Sequence, residues 1–125
     1  MKVLVVDDEM DVRFLFEQQF RKEIRSGEMK FMFAFSGENA LDYLREHGHE
    51  AVLILSDINM PGMSGLDLLK KIKEEFKKPS PPVIMVSAYG DSENYNCAMK
   101  YGANDFLTKP VDFSSLKEKL KTVAA

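Results

Sequence analysis

Tryptophan is absent and cysteine occurs once, at Cys97. A single thiol cannot close a disulfide within the chain, which excludes a disulfide-stapled scaffold and is compatible with a reducing compartment. No apolar run approaches the roughly 20 residues that span a bilayer. Met1-Lys2 is followed by only four apolar residues before Asp7-Asp8, too few for the core of a signal peptide. The expectation is a cytoplasmic protein with no membrane association. A basic excess is missing as well. Lysine and arginine number 17 against 20 acidic residues, a formal net charge of −3, and the basic residues gather in no clustered stripe. Direct binding of nucleic acid is therefore not expected. Linkers, internal repeats and low-complexity segments are also lacking, so the 125 residues read as one domain, 1–125.

What is present is a regular alternation of apolar runs and helical patterns. Val3–Val6, Phe31–Phe35, Ala51–Leu55 and Val83–Val86 are continuous apolar stretches, as in strands covered on both faces, and Asp105–Thr108 is a weaker fifth. Between them, Val12, Phe16, Phe20 and Ile24 give a first helix one apolar stripe, and Ala40, Leu41 and Leu44 give a second. Ser64 is placed to cap a third helix with Leu66, Leu69, Ile72 and Phe76 inward, stopped by the prolines of Pro79–Pro82. Asp91 or Ser92 caps a fourth that ends near Gly102. Asp112 caps a fifth that buries Phe113, Leu116, Leu120 and Val123. The pattern is α/β, a doubly wound (βα)5 fold with helices on both faces of a parallel sheet.

Acidic residues mark the ends of two of these runs. Asp7-Asp8-Glu9 follows KVLVV and Asp57 follows AVLILS. In an open parallel sheet the carboxyl edge is where sites form, and there the three aspartates converge. Carboxylates about 4–5 Å apart repel by several kcal/mol at the effective dielectric of a protein site, so such a cluster holds a proton or a cation. Hard oxygen donors of this kind suit Mg²⁺, which commonly shares its shell with a phosphate. Phosphoryl chemistry is the first expectation.

The blocks VLVVDDE, LSDINMPGMSGLDLL, VIMVSAYG and GANDFLTKP, in this order and spacing, resemble the signature of the response-regulator receiver domain of two-component signalling, of the chemotaxis-Y-like kind. The resemblance covers essentially the whole chain. It implies a five-stranded parallel sheet in the flavodoxin-like order 2-1-3-4-5. It implies Asp57 as phospho-acceptor, with Mg²⁺, or Mn²⁺ in its place, held by Asp7, Asp8, Asp57 and the backbone carbonyl of Asn59. Ser87 and Lys109 are then the phosphate-binding hydroxyl and ammonium, Phe106 the switch aromatic, and Asn59 and Tyr89 the residues that tune phosphoryl lifetime. Ala88 and Pro110 adjoin the switch serine and the lysine. The implied donor is a sensor histidine kinase or phosphotransfer protein. The implied output surface is the face of the fourth helix, fifth strand and fifth helix, open to an output domain, a downstream protein or a second copy of the chain. Such a protein gains and loses a phosphoryl group on itself and is not a turnover enzyme.

Other readings meet particular obstacles. Flavin-phosphate binding needs a Gly/Ser/Thr-rich loop after the first strand, where this chain has DDEMD. A haloacid-dehalogenase-type phosphohydrolase needs a second carboxylate two residues beyond the nucleophile, where Asn59 stands. A receiver-like interaction module that works without phosphorylation remains the alternative. Its mark is loss of an acidic residue, the acceptor or the lysine, and all are kept. His47 and His49 read as solvated residues of a loop after the second helix, and Lys70, Lys71, Lys73, Lys77 and Lys78 as a solvated helix face. Tyr95, Met99 and Tyr101 leave the fourth helix a poor stripe, as in a loosely held helix or a partner surface.

Overall fold

A computed structural model describes residues 1–48, 52–77, 80–88 and 92–124, and the side chain of 124 is not considered. Five strands form one parallel sheet: β1 (Lys2–Val6), β2 (Lys30–Ala34), β3 (Val52–Asp57), β4 (Val83–Ser87) and β5 (Asp105–Thr108). Their order is β2-β1-β3-β4-β5, the flavodoxin-like order expected. Six helices occur among the described residues: α1 (Asp11–Gln19), α2 (Arg21–Ser26), α3 (Gly37–His47), α4 (Gly65–Glu75), α5 (Ser92–Lys100) and α6 (Phe113–Ala124).

Strand alternation sorts the core into two layers. Leu4, Val6, Ile54 and Met85 point to the face covered by α3, α4 and α5. Val3, Val5, Leu53, Leu55, Ile84 and Val86 point to the face covered by α1 and α6. Both faces of β3 are therefore buried along its whole length, while β5, paired only with β4, is half-open. A central strand ending in an aspartate and an edge strand ending beside a lysine set up the site.

The first expected helix is in fact two. At Phe20 the backbone leaves helical values (φ −110°, ψ 21°), and the ring is fully buried, 4.8 Å from Phe31 and with the Lys117 ammonium 5.2 Å above its centre. Seating that ring turns the chain, so Ile24 falls out of the stripe and is 37% exposed. His47 is the last residue of α3 rather than part of the loop after it, and it is exposed against the Tyr43 ring. Lys73 departs from the solvated face assigned to it. Its stem lies over Gly102, and its ammonium donates to the Pro81 carbonyl at 3.2 Å. Burial lowers the pKa of that amine.

The caps expected at Ser64 and Asp112 are formed. Ser64 accepts from the Asp67 N–H at 3.1 Å and Asp67 accepts from the Ser64 N–H at 3.3 Å, a reciprocal box that opens α4. Leu68, absent from the expected stripe, is as fully buried as Leu69 and Ile72. Asp112 accepts from the Ser114 N–H at 3.0 Å and the Ser115 hydroxyl at 3.2 Å at the start of α6. Expectations placed on His49, Ala51, Lys78, Pro79, Tyr89 and Asp91 lie outside the described residues.

Candidate functional site

β1 and β3 are neighbours, so Asp7, just past β1, and Asp57, the last residue of β3, emerge side by side at the carboxyl edge. Lys109 follows β5 and is separated from β3 by β4, a distance its long side chain bridges. Its Nζ lies 3.3 Å from Asp7 Oδ2 and 3.3 Å from Asp57 Oδ2. Each carboxylate is only 7% exposed. Asp7 Oδ1 also accepts the Glu9 N–H at 3.0 Å, whereas Asp57 Oδ1 is buried with no donor among the described residues.

Charge at the site is unbalanced. Asp7, Asp8 and Asp57 each offer an oxygen within 4.8 Å of the others, and one ammonium is paired with two of them. Burial pushes the Asp57 carboxyl above its ordinary range; the Lys109 ammonium opposes the rise and the Asp7 charge adds to it. Burial also works against the Lys109 ammonium, but Asp57 and Asp7 outweigh it and hold the amine above the usual lysine range. An exposed Asp8 beside two buried carboxylates, with one orphaned oxygen, is a donor set that fits a hard divalent cation.

The strand ends are fixed by backbone bonds. Ile58 N–H donates to the Val86 carbonyl at 2.9 Å and Lys109 N–H to the Ser87 carbonyl at 2.7 Å, which ties the ends of β3, β4 and β5 together. The Lys109-Pro110 peptide is cis. Ser87 is fully buried at the end of β4, and Ala88 beside it is exposed. Asn59 is exposed two residues beyond Asp57. Phe106 is not part of the charged cluster. It is half-buried on β5 with its ring 5.6 Å from Tyr95, edge to face. Of the three residues noted on the fourth expected helix, now α5 and its end, Tyr95 and Met99 are 47% and 40% exposed, whereas Tyr101 packs against the core under Lys70.

Two features of the site were not read from the sequence. The first is Gly65, whose N–H donates to the Ile58 carbonyl at 2.8 Å. A β-carbon there would stand 2.0 Å from the Asp57 carbonyl oxygen, so α4 begins directly against the peptide of Asp57. Its position at the start of the α4 pattern was the available signal. The second is a cleft of about 510 Å³ beside Asp57, between α1 and the segment after β5. It is assembled from separate elements and leaves no local mark in the chain.

Comparison with known proteins agrees with this arrangement. The family model of the response regulator receiver domain matches residues 3–121. A chemotaxis protein CheY homolog of Campylobacter jejuni is 38% identical over 123 residues, covering 98% of this chain and 92% of that protein. The response regulator protein PilR of Pseudomonas aeruginosa is 40% identical over 123 residues, covering 97% of this chain but 25% of PilR. Among solved structures, the receiver domain of NtrX from Brucella abortus superposes with a TM-score of 0.82 at 31% identity, over 98% of this chain and 97% of that one. A family match across nearly the whole length, on a sheet of this order, settles the membership: the chain belongs to the response regulator receiver domain family.

Proposed function

We propose that the chain is a phosphorylation-controlled switch in which Asp57 takes a phosphoryl group from a phosphohistidine of a sensor histidine kinase or phosphotransfer protein, or from a small acyl phosphate. The observation that carries this reading is the Lys109 ammonium placed 3.3 Å from both buried carboxylates while Asp57 Oδ1 stays unpartnered. An Asp57 oxygen attacks phosphorus, the bond from phosphorus to the donor nitrogen or oxygen breaks, and that atom leaves with the bonding electrons. Hydrolysis of the resulting acyl phosphate restores Asp57.

Transfer of this kind depends on positioning and on offsetting charge more than on covalent catalysis by other groups. Lys109 supplies one fixed positive charge and orients the phosphoryl oxygens. Asp7, Asp8, Asp57 and the Asn59 carbonyl are the groups that would hold Mg²⁺, or Mn²⁺, which when bound neutralises the remaining carboxylate charge and that of the phosphoryl group. Ser87 ends β4, the strand next to β3, and its hydroxyl, with Ala88 at the start of the following loop, is the group assigned to bind the phosphoryl oxygens. Asn59 and Tyr89 flank the phosphoryl position in sequence and tune its lifetime.

Phosphorylation adds charge and acceptor oxygens at Asp57. Readout needs an element with two arrangements, and Ser87 with Phe106 is that element here. Phe106 carries no hydroxyl, so its contribution is packing alone, against Tyr95. The surface that changes is α5-β5-α6, which receives an output domain, a downstream protein or a second copy of the chain.

Intact-protein mass after incubation with acetyl phosphate tests the reading. The expected result is a phosphoryl gain in the wild type with Mg²⁺ present, none with the ion chelated and none in Asp57→Asn. A gain retained by Asp57→Asn refutes the acceptor assignment. No gain from acetyl phosphate or from phosphohistidine donors moves the protein to the phosphorylation-independent interaction module.

A further inference from the structure

The cleft beside Asp57 is larger than a phosphoryl group requires. Leu55 and Val86 line it on the sheet side, Val12 and Leu15 on the α1 side, and Val111 and Phe113 on the side of α6. A volume of about 510 Å³ lies in the usual range for small-molecule sites, which are mainly apolar with a few placed polar groups. Four of the lining residues carry charge: Asp7, Glu9, Asp57 and Lys109. Three carboxylates accompany one ammonium in the lining, and that ammonium is already held by two of them. The Asp57 side chain, more than nine-tenths buried, keeps an oxygen without a donor.

We propose that this cleft binds a small organic monocation, an amine bearing one aromatic ring or a short hydrocarbon body. The ammonium head sits among Asp7, Glu9 and Asp57, and the apolar body lies between Leu15 of α1 and Val111. Each part of the ligand answers a separate feature. An anion meets the net negative charge of three carboxylates against one ammonium. A neutral apolar molecule leaves the Asp57 oxygen without a donor. A bare inorganic cation uses the carboxylates and leaves the apolar walls wet. The amine and a divalent cation draw on the same carboxylates, so they exclude one another, and the amine holds the acceptor away from phosphoryl donors.

The test is a titration of the isotope-labelled protein with 4-phenylbutylamine, followed through the methyl resonances of Val12, Leu55, Val86 and Val111 with divalent cations chelated. The neutral 4-phenylbutan-1-ol and methylammonium are run in parallel. Saturable shifts concentrated at those methyls are expected, with each control weaker by about tenfold or more, since losing a charge-assisted hydrogen bond or the buried body costs at least that in affinity. Leu15→Gln, at a 44% exposed position where the fold does not depend on the leucine, and Val111→Trp, which fills the cleft, should each weaken the amine by about tenfold. Added Mg²⁺ should raise its apparent Kd. An alcohol that binds as tightly as the amine, shifts centred elsewhere, or no saturation overturns the proposal. Because the readout uses no phosphoryl donor, failure of the phospho-switch reading leaves this result interpretable.

Discussion

Replacing Gly65 with alanine probes how firmly Asp57 is held. The new β-carbon would lie 2.0 Å from the Asp57 carbonyl oxygen and 2.7 Å from Ile58 Cα. Since β-carbons essentially never come within 3.0 Å of another heavy atom, the start of α4 and the end of β3 must part by about 1 Å or more. Both neighbours are backbone and cannot swing aside. The movement also strains the 2.8 Å bond from Gly65 N–H to the Ile58 carbonyl. Overpacking of this kind costs about 1–3 kcal/mol. The better helix propensity of alanine returns at most about 1 kcal/mol. A net loss of about 1–2 kcal/mol lowers Tm by several degrees in a domain of this size. The effect on transfer is larger, because about 1 Å of misplacement at a reacting group costs on the order of a hundredfold. Thermal unfolding by circular dichroism and phosphoryl uptake from acetyl phosphate by intact mass measure the two. Gly62→Ala is the control: its φ of +73° makes alanine strained by about 1–2 kcal/mol, but its β-carbon meets only Glu38 Oε1 at 3.8 Å. Gly62→Ala should lose stability with little loss of rate. A Gly65→Ala protein with native Tm and native rate refutes the reasoning, as does an equal rate loss in both variants.

Asp57→Asn should be more stable than the wild type near neutral pH with metal chelated. Burial raises the folded-state pKa of Asp57, so the protonated form stabilises the fold below the ordinary value of 3.8, and that stability is lost as pH rises through the folded value. The advantage of asparagine therefore shrinks on acidification, and Mg²⁺ should narrow it at neutral pH; Tm against pH, with and without the ion, checks both. Lys73→Met keeps the stem over Gly102 and removes a charge that burial disfavours. Urea denaturation should find it within about 1 kcal/mol of the wild type, and a loss well beyond that would show that the bond to Pro81 dominates. Tyr95→Glu removes the edge-to-face contact with Phe106, worth about 0.5–1.5 kcal/mol. It should weaken capture of an output partner while phosphoryl uptake stays within about twofold, and unchanged capture would remove Tyr95 from the output surface.

The sequence was most legible where a residue's role follows from its place on a strand. Continuous apolar runs ending in Asp57 and Asp7-Asp8 located both the sheet and its acidic edge, because burial on two faces forces such runs. Caps at Ser64 and Asp112 were legible for a similarly local reason: the first-turn donors need a side-chain acceptor. What escaped depends on tertiary packing. The break at Phe20 arises from seating one ring among Phe16, Phe31 and the Lys117 head, which helical periodicity does not register. Lys73 looks like its exposed lysine neighbours until Gly102 and Pro81 come to lie under it. Tyr101 and Tyr95 read alike in the chain, yet only Tyr95 stays open, since Tyr101 rests on the core beneath Lys70.

Lys109 hangs from the half-open rim of the sheet but keeps its charged head at the centre, above a strand that is buried along its whole length. It is thus a tether between the least and the most constrained parts of the molecule. Its backbone N–H is bound to the Ser87 carbonyl at 2.7 Å, so the two cannot shift independently. One end of that tether is the ion pair with Asp57, the last residue of β3. The other end is the edge strand, where β5 carries Phe106 against Tyr95.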